Sequence, residues 1–340
     1  MPRRSGVTIR DVAQRAGVSI TAVSHALNDK GTLSPATRER VRKAAAELGY
    51  RADVVARALR ESRMGALGLV IRPLDALGDY LPSGVDYFTR LSGAAAHAAA
   101  DLGLSLMLVP DLTRSPHSPL ALSLDGYIVT DPVIDDPIVT MLLERDLPMV
   151  TVGRDPQRSE RIPWVATDDT GDTLRMLRTL ASGGAERIAF VAGTDENSWN
   201  LDAIEAYHSW CAENGIEPVL LRVPEAAGED GGREAAARLW AGDAPEAVYC
   251  LTGRHAAGIM RALRERGLRV PEDVEIAAAS DSEHTRSAGI TALDMRPSAL
   301  ARAAVTLLDA VTRDDPRAAE LQGTLIEGAV IPRSSTRGTA

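Results

Sequence analysis

A chain of 340 residues, 45% hydrophobic and 25% charged, can hold one small domain beside a large two-lobed one. No apolar run reaches the roughly 18–20 residues a membrane helix needs, and no apolar stretch follows Met1-Pro2-Arg3-Arg4, so neither a membrane partner nor a secretory signal is expected. The net charge of −9 argues against nucleic acid only until its distribution is read: residues 1–63 carry 13 Lys/Arg against 6 Asp/Glu, and the rest carry 25 against 41. A basic head on an acidic body confines any attraction for phosphate to one end.

The first 50 residues predict three short helices. Thr8 can cap the first, with Asp11 three residues on and Val12-Ala13 on its inner face. Gly17 can supply the positive φ of a tight break, and Ser19 can cap a second helix over about Ile20 to Leu27 that buries Val23 and Leu27. Asn28-Asp29-Lys30-Gly31 is a loop. Ser34-Pro35 starts a third helix, striped by Val41, Ala45 and Leu48 and ended by Gly49. Asp53 to Arg60 can form one more helix, too short to hold in water without a partner.

From Gly65 onward short apolar runs alternate with helical stretches. The strands expected lie at 67–71, 105–109, 126–129, 149–152, 187–191, 218–222, 247–250 and 275–279. The helices expected lie at 87–102, 137–146, 170–182, 200–214, 231–241, 255–266 and 297–311. Strand-helix alternation predicts an α/β body of doubly wound parallel sheets. The pattern breaks near Arg161-Ile162-Pro163 into two similar halves.

A helix-turn-helix works because one helix props a second into the major groove, where side chains meet base edges while caps and hydroxyls hold phosphates. The spacing Ala13…Gly17…Val23 alone occurs in many helical hairpins, but here it sits in the basic segment with a third capped helix behind it. Catalytic signatures are missing: there is no P-loop, nucleophile elbow or HExxH, and the six histidines are scattered. Cys211 and Cys250 fit no metal spacing. We therefore expect no enzyme, no cofactor and no metal.

VTIRDVAQRAGVSITAVSHALN, LSPATRERVRKAAAELGY and VVARALR resemble the DNA-binding head of the lactose-repressor (LacI/GalR) family nearly end to end, over residues 7–63. YFTRLSGAAAHAAADLGLSLML, GAERIAFVAG, GLRVPEDVEIAAASD and VIPRSST extend the resemblance over the whole chain. It implies an N-terminal all-α helix-turn-helix head at 1–51, a hinge helix and linker at 52–64, and a periplasmic-binding-protein-like effector and dimerisation domain at 65–340. The N-lobe would be about 65–161 and 294–322, and the C-lobe about 162–293 and 323–340. The function implied is that of a cytoplasmic, nucleoid-associated regulator. It would be a homodimeric repressor that binds a palindromic double-stranded operator and answers to a small-molecule effector, a sugar or related metabolite. The alternative is a solute-binding protein without a DNA role.

Residue by residue, the resemblance puts Ile20, Thr21 and His25 at base-reading positions. It puts Thr8, Ser19, Ser24, Asn28, Ser34 and Thr37 at phosphates. Val55, Ala56 and Leu59 fall in the hinge helix, with Leu59 at the place of a minor-groove wedge. Effector contacts fall on Tyr87, Phe88, Asp131, Arg154, Asn200 and Asp281. Three departures stand out. Ala52-Asp53 replaces the usual Pro-Asn, Ala203 falls where the family commonly has an arginine, and Gly253 falls where it often has an aspartate.

Overall fold

Thr8 opens the first helix of the computed structural model, which describes residues 7–27, 31–50, 63–71, 86–113 and 118–337. Its backbone N–H and its hydroxyl both donate to the Asp11 carboxylate, at 2.8 and 2.7 Å, and start α1 (Ile9–Ala16). These bonds hold the Asp11 carboxyl below the usual carboxylate range. Gly17 ends α1 at φ 64°, as the sequence predicts. The Ser19 hydroxyl accepts from the Ala22 N–H at 3.1 Å and opens α2 (Ile20–Leu27). Ser34 accepts from Thr37, Pro35 takes the first helical position, and Gly49 at φ 61° closes α3 (Pro35–Leu48). Val12, Val23, Ala26, Val41, Ala44 and Ala45 form the small core where the three helices meet. Leu27 and Leu48, expected inside, pack at its margin and are half-buried; the smaller Ala26 and Ala44 take the inner face.

These helices fall in one compact unit, residues 1–64, and the remaining chain forms a second, 65–340. The expected hinge helix, with Val55, Ala56 and Leu59, lies outside the described residues, as does Asn28.

The second unit holds two six-stranded sheets. The first sheet contains β1 (Ala66–Val70), β2 (Ser105–Val109), β3 (Gly126–Thr130), β4 (Met149–Val152), β5 (Trp164–Thr167) and β11 (Thr324–Ile326), in the order β11-β5-β4-β3-β1-β2. The other contains β6 (Ile188–Ala192), β7 (Val219–Arg222), β8 (Ala247–Cys250), β9 (Glu275–Ala278), β10 (Thr291–Asp294) and β12 (Ala329–Ile331), in the order β12-β10-β9-β8-β6-β7. All neighbours run parallel except β10 and β12. Both faces of a doubly wound sheet are covered, and the side chains show it. Leu67, Leu69 and Ile128 face α4 (Asp86–Asp101) and α11 (Pro297–Thr312), while Val70, Tyr127 and Val129 face α5 (Pro137–Glu144). Each such fully buried leucine contributes about 1.5–3 kcal/mol from burial alone.

In the second lobe α6 (Asp169–Ser182) and α7 (Ser198–Asn214) share a core with Phe190 and Tyr249. The opposite face carries α8 (Gly228–Leu239) and α9 (Gly253–Glu265), which approach backbone to backbone. A Cβ at Gly232 would overlap the His255 carbonyl, and one at Gly258 the Glu229 carbonyl. Two short helices, α10 (Glu283–Ala288) and α12 (Arg317–Leu321), complete the set. Among the described residues no helix is long and apolar enough to cross a membrane.

The lobe boundaries differ from expectation at two crossings. The sequence places them after residues 161 and 322, but Trp164–Thr167 pairs with β4 and Thr324–Ile326 pairs with β5, both inside the first sheet. The reason is local. Pro163 reads as a break, yet its carbonyl accepts the Thr151 N–H at 3.0 Å, and proline is tolerated where a strand begins. The chain thus crosses between lobes after Thr167, between Asp294 and Pro297, and between Ile326 and Ala329. At the last crossing the Asp172 carboxylate accepts the Gly328 N–H at 3.0 Å, and Arg175 donates to the Gly328 carbonyl.

Candidate DNA-reading face and effector cleft

On α2 the residues split by face. Val23 and Ala26 anchor the helix in the core, while Thr21 is exposed and Ile20 keeps 46% of its surface. An isoleucine and a hydroxyl held outward on an anchored helix can meet a thymine methyl and a base edge. His25 is placed differently. It is half-buried, and its ring packs so closely against Gly31 that a Cβ there would lie 2.6 Å from Nδ1. Gly31, at φ +70°, is itself held by Arg38, whose guanidinium donates to its carbonyl at 2.8 Å. The imidazole is therefore oriented by the loop.

Ser24 is half-buried on the same helix. Ser19 sits at the exposed N-terminus of α2, and Ser34 and Thr37 sit at that of α3, where they share a 2.8 Å hydrogen bond. Amide groups at such ends attract anions. The Thr8 hydroxyl is committed to Asp11.

In the body, a cavity of about 200 Å³ opens between the lobes at the carboxyl ends of their strands. The first lobe contributes Asp86, Tyr87, Phe88 and Asp131 to its wall. Tyr87 and Phe88 meet edge to face, with centroids 5.1 Å apart. Burial drives the Tyr87 phenol well above its usual range, and the Asp131 and Asp169 carboxylates push the same way. Asp131 ends β3 in the left-handed region at φ 45°, against Gly153. Asp281 lines the other side, and both of its oxygens are held: Arg333 donates at 2.6 Å and Arg286 at 3.0 Å. Arg286 also reaches Asp86 at 2.7 Å and so ties the lobes together at the cavity rim.

Two of the expected contacts do not line this cavity. Arg154 turns its guanidinium to Asp202 at 2.6 Å, and its backbone N–H donates to the Ser198 hydroxyl at 3.1 Å. Asn200 is fully buried, and its amide is consumed internally. Its oxygen accepts from Gly193, and its nitrogen donates to Asn197 and Glu225. It supports the wall and does not face the cavity.

The structure adds Trp199, Glu225 and Arg254, which the sequence reading missed. Arg254 is buried, with one N–H donated to the Glu225 carbonyl at 2.9 Å. A signal was available: the cation follows directly on the glycine that departs from the family pattern. The glycine sits in a tight place. A Cβ at Gly253 would stand 2.5 Å from Ser282 Oγ and 2.8 Å from Thr285 Cγ2, so any side chain there would have to displace both. Ala203 is likewise core, with no surface exposed. Behind the wall, burial lowers the His255 imidazole to about 4, against the opposing pull of its contact with the Pro224 carbonyl. Among the described residues no cluster of metal-ligating side chains is present.

Comparison with known proteins agrees with this anatomy. Residues 8–53 match the model of bacterial regulatory proteins of the lacI family, and residues 177–336 match the periplasmic binding protein-like domain. The chain is 29% identical to the HTH-type transcriptional regulator CelR of Thermobifida fusca, over 83% of this chain and 84% of that one. It is 27% identical to the HTH-type transcriptional repressor PurR of Escherichia coli O139:H28, over 94% and 95%. A lac repressor dimer bound to operator and an anti-inducer superposes with a TM-score of 0.79 at 23% identity, over 98% of this chain and 99% of that one. A CelR–cellobiose complex gives 0.64 at 24%, over 97% and 99%. The structural likenesses carry the fold, and the sequence matches show that this chain carries a DNA-binding region of the lacI family at its start and a periplasmic binding protein-like domain behind it.

Proposed function

We propose that this protein is a sequence-specific transcriptional repressor that binds a palindromic operator as a homodimer and is modulated by a small molecule held between its lobes. The observation that carries the reading is the anchored second helix, with Ile20 and Thr21 turned outward from a head whose charge is opposite to that of the body. Residues 1–51 act as the reading head, 52–64 as the link and 65–340 as the sensor. Ile20, Thr21 and His25 face base edges. Ser19, Ser24, Ser34 and Thr37 face phosphates, joined by Thr8 and Asn28. Val55, Ala56 and Leu59 dock in the minor groove.

Tyr87, Phe88 and Asp131 meet the effector from the first lobe and Asp281, Trp199, Glu225 and Arg254 from the second, while Arg154 and Asn200 shape the wall. The related lac repressor bound to its operator and the CelR complex with cellobiose support the two halves of this reading. The protein works in the cytoplasm and catalyses no reaction. Footprinting on the promoter of its own gene, at low and moderate salt, tests it. A protected two-fold symmetric site is expected, and equal affinity for all duplexes sinks the proposal.

A further inference from the structure

Donors and acceptors around the inter-lobe cavity are unevenly matched. Asp86 stands in the first turn of α4, and Asn197, Thr252 and Ser282 cap α7, α9 and α10 with side-chain oxygens. All four line the cavity, so the helix starts there already carry oxygens of this protein and offer an anion little. Glu225 accepts the Thr194 and Asp195 N–H groups and the Asn200 amide, and Arg254 donates to the Glu225 carbonyl. Carboxylates, by contrast, are in surplus. Asp86 and Asp131 line the cavity from the first lobe, and Asp195, Glu225 and Asp281 from the second, with Arg254 as the cation in that lining. Arg286 and Arg333 reach Asp86 and Asp281 from outside the lining. Among the described residues, five carboxylates against three guanidiniums leave two negative charges over. Arg222 binds the Gly193 and Thr194 carbonyls and does not line the cavity. Residues 72–85, outside the described residues, hold Arg72 against Asp75 and Asp79 and so bring no cationic excess. Asp86 gives the sharpest mark. Its Oδ2 accepts from Arg286, whereas its Oδ1 is buried and accepts no hydrogen bond. A buried acceptor in that state calls for a donor. Tyr87, Phe88 and Trp199 add aromatic rings to the same wall, and ring faces attract cations.

We propose that the effector is an organic cation, a protonated amine on a compact ring, held by the carboxylates of this wall. An ammonium brings three donors and no acceptor, which suits a lining rich in acceptors. The carboxylates come from both lobes, so their mutual repulsion opposes closure, and a cation between them relieves it. The amine class rests on the reading of this cavity as the effector site, and its test needs no DNA.

Fluorescence titration of the full chain at pH 7 decides it, with Trp199→Phe as the control that locates the response at the cavity. The probes are cyclohexylamine, cyclohexanol and cyclohexanecarboxylate, which share one ring, and glucosamine beside glucose. At least one amine is expected to bind roughly tenfold or more tighter than its neutral partner, with the carboxylate weakest. Asp131→Asn, which suits the left-handed backbone there, should weaken that amine by roughly tenfold and leave the neutral partner little changed. If Asp131→Asn does not fold, Asp86→Asn serves, since its amide oxygen can still accept from Arg286. Equal or tighter binding of the neutral or anionic probes overturns the amine class and leaves the cavity as the effector site. No response to either amine also overturns it, while the operator footprint tests the regulator reading separately. A response undiminished in Trp199→Phe, or an amine affinity indifferent to both Asp131→Asn and Asp86→Asn, places the amine elsewhere and overturns it as well.

Discussion

Arg154 and Asp202 join the two lobes through a single 2.6 Å ion pair, with each side chain about two-thirds or more buried. Arg154 follows the end of β4 in the first lobe, and Asp202 sits in the first turns of α7 in the second. The contact exists only while the lobes are together. It therefore favours the closed arrangement without fixing either lobe's own fold.

A double-mutant cycle separates those two effects. Arg154→Ala and Asp202→Asn should each cost about 1 kcal/mol or less in the interface, because a pair with this much residual exposure is partly screened. Fluorophores on the two lobes should show greater separation in both variants. Lobe stability toward urea should change little. Equal separation in wild type and both variants would remove the pair from the closing mechanism.

His255 makes the body sensitive to acid. Its folded value of about 4 lies below the 6.5 of an exposed imidazole, so between these values the unfolded chain binds more protons than the folded one. Stability is therefore complete above about pH 6.5 and falls as pH drops toward 4, by roughly 1–3 kcal/mol. Urea unfolding at pH 7 and pH 4.5, for wild type and His255→Gln, measures it. The glutamine keeps a donor for the Pro224 carbonyl but does not titrate, and it should reduce the acid loss.

Gly258 should tolerate no larger residue. Alanine favours a helix by about 1 kcal/mol over glycine, yet its Cβ would overlap the Glu229 carbonyl on α8. Overpacking against backbone costs about 1–3 kcal/mol, so Gly258→Ala should lower the thermal midpoint of the body. Gly93, on the open face of α4, has nothing near its Cβ position, and Gly93→Ala should hold or raise the midpoint. The opposite ranking would contradict the close helix approach.

On α2, Thr21→Ala should cost roughly 1–3 kcal/mol at one operator position and relax the preference there. Thr21 is exposed and contributes nothing to the head core, so melting should be unchanged. His25→Ala should also weaken operator binding, with a second effect: the loop at Gly31 loses the ring it packs against. Binding titrations on single-base operator variants distinguish the two. A loss spread evenly over operator and random duplex would place Thr21 on phosphate instead.

The head was legible because its signals are local. Thr8, Gly17, Ser19, Ser34-Pro35 and Gly49 act on neighbours within a few residues, and all five do in the structure what their chemistry predicts. Eight of the described strands were legible from apolar runs, whereas β5, β10, β11 and β12 were not read as strands from the sequence. The lobe crossings were misplaced because pairing between residues 165–167 and 324–326 leaves no trace in either segment alone. The cleft was half legible. Tyr87, Phe88, Asp131 and Asp281 line it, but whether a polar side chain faces a ligand or a neighbour depends on partners far along the chain, as Asn200 with Glu225 and Arg154 with Asp202 demonstrate.

The order of strands also sets a timetable. One outer strand of the first sheet is residues 324–326, and one of the two helices that cover a face of that sheet is residues 297–312. On a ribosome, the amino-terminal lobe must wait, with an unpaired edge and an apolar face covered only in part, until nearly all of the second lobe has been synthesised. Neither lobe can be expressed as one uninterrupted fragment, and a nascent chain stalled near residue 290 should depend on chaperones to stay in solution.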